Sequence, residues 1–217
     1  MAIGGGEVSI VLASGSRYRA RMLAEAGIPV LVDPPMVDER AFDGLLEEIG
    51  PDGLALELAG RKADAVAPRH PGKVIVAADQ VGVLESDGEV VMLTQQPTVD
   101  GAVAQLMRMS GSVHRLVTGV VVQAASGDRH CGVDVQEVSM RPYSEAEARA
   151  YVEGFEPFDT AGSYRLEDGE ALDRAGGPGS ALVVDVVGED PSGVLGLPLP
   201  LLRRLLVDAG EPDVPGR

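Results

Sequence analysis

The sequence predicts a mixed α/β fold on the strength of three observations. Short apolar runs typical of buried strands alternate with segments that have helical periodicity. One run, 73–78, is apolar after its first residue, which is the pattern of a strand buried on both faces. The 217 residues, 45% of them hydrophobic, suffice for one sizeable core, and no internal repeat or long linker divides them. We therefore expect a single domain spanning residues 1–217.

The first element is a strand, 8–12, followed by a loop of small residues and a helix that ends at Gly27. The first backbone N–H groups of such a helix have no partner and attract anions. Ser14 and Ser16 can cap these groups or bind a ligand, and arginines at positions 17, 19 and 21 add positive charge. A phosphate or carboxylate site and an ordinary N-cap with solvated arginines both fit this pattern.

A carboxylate and a lysine follow in the next elements. After a second strand, 28–32, Glu39 lies beyond the strand end, where sites in α/β sheets collect, although a solvated loop charge fits equally. A helix is expected over 51–68, interrupted at Gly60. Lys62 lies on this helix, where a lysine ordinarily faces solvent.

The apolar strand 73–78 is expected to end directly at Asp79 and Gln80. A carboxylate at this place is costly to bury unless it is paired or used. A hairpin with its turn near Gly88 is expected to follow, built from the runs 81–84 and 89–93.

The remaining elements complete the alternating order. We expect helices, strands and one long functional loop or lid at these positions: helix 98–109 with Thr98 as N-cap, strands 114–123 and 129–141, helix 144–154 with a capping box from Ser144 to Glu147, loop 154–179, strand 181–187 and helix 198–208.

Charge and cysteine usage exclude several classes of protein. A formal net charge of −16 argues against a nucleic-acid polymer or an anionic membrane surface as partner. No run approaches the length of a membrane-spanning helix. The single cysteine, Cys131, excludes an internal disulfide and is expected in the core. We therefore expect a cytoplasmic protein.

Ten short motifs occur in order between Leu12 and Leu206. They are Leu-Ala-Ser-Gly-Ser at 12–16 with Arg19, Val-Asp-Glu at 37–39, Leu58-Ala59 with Lys62-Ala63, Ala78-Asp79, Ser110-Gly111 with His114, Thr-Gly-Val at 118–120, Glu156-Pro157 with Asp159, Ala161-Gly162, Tyr164, and Gly-Leu-Pro-Leu at 196–199. In this order they make the chain resemble the Maf family, the septum-formation-associated nucleoside triphosphate pyrophosphatases.

The resemblance implies an elongated mixed sheet flanked by helices, similar to the inosine triphosphatases, with two lobes and a central cleft. It implies a hydrolase that uses Mg²⁺ or Mn²⁺, with water attacking the α-phosphate to release a nucleoside monophosphate and pyrophosphate. It also makes a homodimer plausible. A triphosphate bears about four negative charges, so cations must offset charge in the transition state and a carboxylate must orient the water.

The resemblance also implies roles for individual residues. Asp79, Glu39 and Lys62 would be catalytic, with Asp79 the expected general base and with Asp79 and Glu39 as metal ligands. The expected substrate-binding residues are Ser14, Ser16, Arg17, Arg19, Gln80, Gln96, His114, Thr118, Tyr164, Arg165 and Glu167. For His114 and Tyr164 an ordinary core role is the alternative.

The chain departs from the family pattern at phosphate-facing positions. Tyr18 replaces an arginine, and Gln96 and Thr160 replace lysines, with Arg17 and Arg165 as nearby substitutes. Two alternatives to triphosphate hydrolysis therefore stay open. One is a repurposed Maf-fold enzyme acting on a less anionic small molecule that is not a triphosphate, and the other is a non-catalytic nucleotide-binding module.

Overall fold

A computed structural model describes residues 9–86, 88–166 and 182–211. In these ranges the strands are β1 (Ile10–Leu12), β2 (Val30–Val32), β3 (Val74–Ser86), β4 (Glu89–Leu93), β5 (Val113–Gln123), β6 (Arg129–Met140) and β7 (Val183–Val187). The α-helices are α1 (Arg17–Glu25), α2 (Leu46–Val66), α3 (Val99–Met109), α4 (Glu145–Phe155) and α5 (Leu199–Asp208). Short 3-10 helices cover Glu39–Leu45, Ala67–Arg69 and Pro191–Leu195.

The strands form one mixed sheet in the order β2-β1-β3-β5-β6-β7, with β4 paired to β3. This confirms the predicted mixed α/β class. The chain divides into two compact units, the first comprising Met1–Gln80, Val117–Asp134 and Ser192–Arg217, and the second comprising Val81–Leu116 and Val135–Pro191. The expected lobes and central cleft stay a prediction.

The first unit has a parallel sheet covered on both faces. β1 lies between β2 and β3, and Leu12 is opposite Val32 on one side and Val76 on the other. Because successive strand residues point to opposite faces, Leu12 joins a core cluster with α1 and α5. Val11 joins a second cluster with α2 on the other face.

The second unit contains the antiparallel pairs. The second half of β3 forms a hairpin with β4, with Gly82 opposite Leu93. β7 pairs with β6, with Val138 opposite Val186. α3 contacts α4, which begins with the predicted capping box between Ser144 and Glu147.

Three expectations about local structure are wrong, one each for β3, α2 and Cys131. β3 does not end at Asp79 and Gln80 but runs through them, because both side chains find partners there and the backbone pairing is not interrupted. α2 is not interrupted at Gly60; it starts earlier, at Leu46, and its non-helical residue is Gly50, with a φ of 69°. Cys131 is exposed rather than in the core.

One expected element, the long loop, lies in a region that the structure describes only in part. The expected loop 154–179 begins after Phe155, but its residues 167–181 lie outside the described ranges, as does Glu167. Among the described helices, none is both long and apolar enough to cross a membrane.

Candidate active site

A buried lysine joins two carboxylates in the first unit. Lys62 lies on the buried face of α2, one helical turn from Leu58 and Val66. Asp79 follows Ile75 and Ala77 on the face of β3 that packs against α2. The Nζ of Lys62 donates a hydrogen bond to Oδ1 of Asp79 and lies 2.7 Å from Oε1 of Glu39. We call these three residues the Lys62 cluster.

Burial dominates the electrostatics of the Lys62 cluster. Lys62 and Asp79 are both 5% exposed, whereas Glu39 is half exposed at the start of its 3-10 helix. Loss of solvation raises the pKa of Asp79, and the nearby Glu39 raises it further, against the opposite effect of Lys62 and Arg19. The cluster therefore holds a carboxylate with an increased proton affinity, which suits a general base.

A glycine on β5 lets α2 approach the sheet closely enough for this contact. A Cβ at Gly119 would lie 2.5 Å from the carbonyl carbon and oxygen of Ala55 and 2.6 Å from the nitrogen of Leu56. Real Cβ atoms do not approach backbone atoms so closely. Because Gly119 has no side chain, α2 packs close to β5, and this close packing brings Lys62 to Asp79.

The loop between β1 and α1 holds a second polar group, the serine loop, made of Ser14, Ser16 and Arg19. Ser16 caps α1 by accepting a hydrogen bond from the Arg19 backbone N–H at 3.3 Å. Oγ of Ser14 accepts from the Ser16 backbone N–H at 3.2 Å and from Nη1 of Arg19 at 3.3 Å. The Arg19 Nε donates to the carbonyl of Gly196 at 2.7 Å.

Arg19 is a buried cation without an ion pair to any described carboxylate. Burial lowers the pKa of its guanidinium, and the charges of Asp79 and Glu39 oppose that decrease. The positive charge of a buried guanidinium that donates hydrogen bonds only to neutral oxygens is not balanced by a nearby negative charge. Together with the N-terminus of α1, Arg19 is therefore suited to an anionic ligand.

Gln80 and Thr118 lie on the opposite face of the sheet from Asp79. Nε2 of Gln80 donates to Oγ1 of Thr118 at 3.0 Å and to the carbonyl of Gly193 at 2.9 Å. These contacts tie β3 and β5 to the segment that leads to Gly196, the partner of Arg19. Both side chains therefore have internal partners, and Thr118 is fully buried.

The donor set fits a hard divalent cation that is shared with a substrate. Glu39 and Asp79 are carboxylates that each contact the Lys62 ammonium through one oxygen and therefore lie close to one another. No group of three or more potential metal ligands occurs among the described residues. Mg²⁺ is typically held by one or two carboxylates together with substrate phosphates and water, so two carboxylates suffice.

In the second unit, Gln96 has its amide donors engaged internally. Its Nε2 lies 3.0 Å from Oγ1 of Thr94 and 3.3 Å from Oε1 of Gln105. The amide of Gln96 is thus bonded within its own unit, and its expected role in substrate binding stays a prediction.

The remaining predicted site residues differ in exposure. His114 and Tyr164 are buried, and Nε2 of His114 lies 2.8 Å from the Tyr164 hydroxyl. Arg165 pairs with Asp159 at 2.5 Å and donates to the carbonyl of Phe155 at 3.0 Å. Arg17 is exposed in the first turn of α1.

Burial of His114 and Tyr164 has opposite consequences for their charges. Burial lowers the pKa of His114 to about 4 and raises that of Tyr164, so both stay neutral near pH 7. Their mutual contact and low exposure are compatible with the core role that was the alternative for both residues, and their role in substrate binding stays a prediction.

Sequence reasoning missed Gln105 and assigned no specific role to Gly196. Gln105 is buried on α3 and bonds four polar groups of its own unit. The available signal was an isolated amide on the helix face formed by Ala102, Leu106 and Met109. Gly196 has a φ of 83°, and a Cβ there would lie 3.2 Å from Nη2 of Arg19.

Comparison with known proteins finds a family model and relatives that match nearly the whole chain. The family model described as "Maf-like protein" matches residues 9–209. A 7-methyl-GTP pyrophosphatase from Nitrosococcus oceani is 34% identical over 94% of each chain. A dTTP/UTP pyrophosphatase from Deinococcus radiodurans is 37% identical over 93% of each chain. A 7-methyl-GTP pyrophosphatase from Aromatoleum aromaticum is 38% identical over 91% of this chain and 93% of its own length.

A solved structure also matches the chain. It is a nucleoside-triphosphatase described as a dITP/XTP pyrophosphatase, from Mycobacterium abscessus, with 15% identity and a TM-score of 0.36. The match covers 77% of this chain and 93% of that one.

Proposed function

The chain belongs to the Maf family, and from that premise we propose that it hydrolyses a nucleoside triphosphate to the monophosphate and pyrophosphate. The observation that carries the proposal is the convergence of Asp79 and Glu39 on the buried Lys62. A buried cation between two carboxylates is costly to maintain unless it serves a purpose. Stabilisation of a polyphosphate transition state is such a purpose.

The proposed reaction divides the work between the two polar groups of the first unit. Asp79 accepts a proton from water as the water oxygen attacks the α-phosphorus. The bond from this phosphorus to the bridging oxygen then breaks, and pyrophosphate leaves with the bonding electron pair. Arg19 and the serine loop bind phosphate oxygens, because the guanidinium and the two hydroxyl groups lie at the N-terminus of α1, where the free backbone N–H groups favour an anion.

Lys62 has two roles in this scheme. Its charge offsets the negative charge that accumulates on the phosphate, and its contact with Asp79 favours the ionised base over the protonated acid. A divalent cation held by Asp79 and Glu39 would supply further charge compensation when bound. We propose Mg²⁺ or Mn²⁺ for this cation, from the resemblance to the family and the oxygen donors of the site.

We propose 7-methyl-GTP as the first substrate to test, because two of the three relatives described above are named for it. dTTP and UTP come second, from the remaining relative. The test incubates the purified protein with these nucleotides and GTP, with Mg²⁺ or Mn²⁺, and separates the products by anion-exchange chromatography. We expect equal amounts of monophosphate and pyrophosphate, and a complete lack of pyrophosphate from every triphosphate would overturn the proposal.

A second candidate is a repurposed enzyme that acts on a less anionic small molecule. The engaged amide of Gln96 and the ion pair of Arg165 with Asp159 favour it, since both residues stand where phosphate contacts were expected. Combining Gln96→Lys with Thr160→Lys should then increase triphosphate hydrolysis. Efficient hydrolysis by the unmodified protein would reject this candidate.

We also propose that the protein is a homodimer, as the resemblance to the family implies, and that it is cytoplasmic, since its single cysteine excludes an internal disulfide. Sedimentation velocity at micromolar concentration tests the dimer, and cell fractionation tests the location.

A further inference from the structure

Gln105 is a polar side chain on an otherwise apolar helix face. Its neighbours on the buried face of α3 are Ala102, Val103, Leu106 and Met109. Gln105 itself is 8% exposed. A primary amide buried among apolar groups destabilises a protein unless its hydrogen bonds are made.

All four principal hydrogen-bonding positions of the Gln105 amide are occupied. Its Oε1 accepts from the Thr94 backbone N–H at 3.1 Å and from Nε2 of Gln96 at 3.3 Å. Its Nε2 donates to the carbonyl of Ala161 at 2.7 Å and to Oγ of Ser163 at 2.8 Å. The amide therefore links the residues that follow β4 to the residues that follow α4.

The segment reached by Gln105 has an unusual backbone. Ser163 has a φ of 56°, in the left-handed region that residues with side chains rarely adopt, yet it is fully buried. At Gly162, a Cβ would lie 2.5 Å from the Tyr164 ring. Such a conformation persists only where its surroundings enforce it. Gln105 supplies two hydrogen bonds at this place.

The same segment leads directly to Tyr164 and Arg165, two of the expected substrate-binding residues. Its other bonds to the β4–α3 connection are weaker, since the contact from Nε2 of Gln95 to the carbonyl of Asp159, at 3.1 Å, is exposed to water. The buried amide is thus the stronger link between the two segments.

We propose that Gln105 is a positioning residue for substrate binding: it holds segment 159–165 in its binding-competent conformation through Ala161 and Ser163. This inference rests on the proposed function for its kinetic consequence, but not for its structural one. Loss of the link lowers the fraction of molecules in which the segment is competent. Apparent affinity decreases by that fraction, whereas a saturating substrate restores the competent state.

The test variant is Gln105→Met, which keeps side-chain length and helix propensity but removes all four hydrogen bonds. The matched control is Val103→Ala, which removes buried volume from the same helix but no hydrogen-bonding group. We expect Gln105→Met to raise the KM for the triphosphate about tenfold with kcat within about twofold. We expect Val103→Ala to lower the melting temperature and leave KM within about twofold.

Hydrogen exchange gives a second measurement that does not depend on turnover. Backbone amides of 159–165 should exchange about tenfold faster in Gln105→Met than in Val103→Ala. If Gln105→Met does not fold, Ser163→Ala removes the partner hydroxyl instead, and the same acceleration is expected. Double substitution at 105 and 163 should raise KM no more than Gln105→Met alone.

Unchanged exchange in the segment would overturn the inference, as would an equal rise of KM in Val103→Ala. A protein that hydrolyses no triphosphate but shows the accelerated exchange would overturn the proposed function and leave the role of Gln105 intact. Triphosphate hydrolysis by the protein, together with unchanged KM and unchanged exchange in Gln105→Met, would support the proposed function and overturn the role of Gln105.

Discussion

Replacing Lys62 by methionine should destabilise the protein strongly, because it leaves the buried Asp79 without its nearest positive charge. Methionine retains the unbranched stem that packs on α2, so the change isolates the ammonium. Removing one partner of a buried ion pair typically costs about 3–5 kcal/mol. Glu39 is half exposed and can turn to water, so most of this cost falls on Asp79. Urea unfolding followed by circular dichroism measures it.

The pH dependence of this loss follows from the raised pKa of Asp79. A carboxyl group whose pKa is higher in the folded than in the unfolded state contributes stability at low pH and loses it as pH rises through the folded-state pKa. Without Lys62 the pKa rises further, so Lys62→Met should be less stable at pH 8 than at pH 5.5 relative to the unmodified protein.

Two variants test whether Lys62 and Asp79 interact. The control Arg61→Met removes the neighbouring exposed arginine and its ion pair with Glu57, which should change the free energy of unfolding by less than about 0.5 kcal/mol. The double variant Lys62→Met with Asp79→Asn should be more stable than Lys62→Met alone. Additive effects within about 0.5 kcal/mol would show that Lys62 and Asp79 do not interact as described.

Two further substitutions test the packing of the site and the second unit. Gly119→Ala should lower the free energy of unfolding by about 1–3 kcal/mol, because the added carbon overpacks against α2, and it should also lower kcat. Gly60→Ala is the control: no atom lies within 4 Å of its added carbon, so it should stabilise the protein by up to about 1 kcal/mol. Equal unfolding free energies for the two variants would contradict the close approach of α2 to Gly119. Burial lowers the pKa of His114 from 6.5 to about 4, so its contribution to stability is present above pH 6.5 and is lost as pH falls towards 4. His114→Phe should therefore flatten the decrease of the unfolding free energy between pH 6.5 and 4. An unchanged slope would argue against a buried neutral imidazole.

Periodicity predicts most of the fold because burial imposes it directly. The apolar run of β5 and the capping box of α4 are local signals, and both elements form where expected. Asp79 shows where local signals fail. A charged residue after an apolar run indicates a strand end, but β3 continues because a partner 17 residues away, Lys62, compensates the charge. That partner is not visible in a local pattern.

The site is predictable only in part for the same reason. The serine cap of α1 follows from Ser16 and the helix that it precedes, and the structure contains it. The spacing of Lys62 from Leu58 and Val66 is consistent with a buried lysine, yet lysines at such positions ordinarily extend to water. Roles for Glu39 and Asp79 come from the resemblance to the Maf family, since no spacing joins them. Gln105 acts through segments far along the chain, so only the folded structure identifies its partners.

The role of Asp79 is tested most directly by comparing pyrophosphate release from 7-methyl-GTP by the unmodified protein and by Asp79→Asn, with Mg²⁺ and at equal folded concentration. Asparagine retains the size of the side chain and one oxygen for Lys62, but it cannot accept the proton. Loss of a general base typically lowers the rate by about 10²–10⁴-fold, so we expect a decrease of at least about 10² in kcat. Equal rates for the two proteins would contradict the role of Asp79 at the centre of the site.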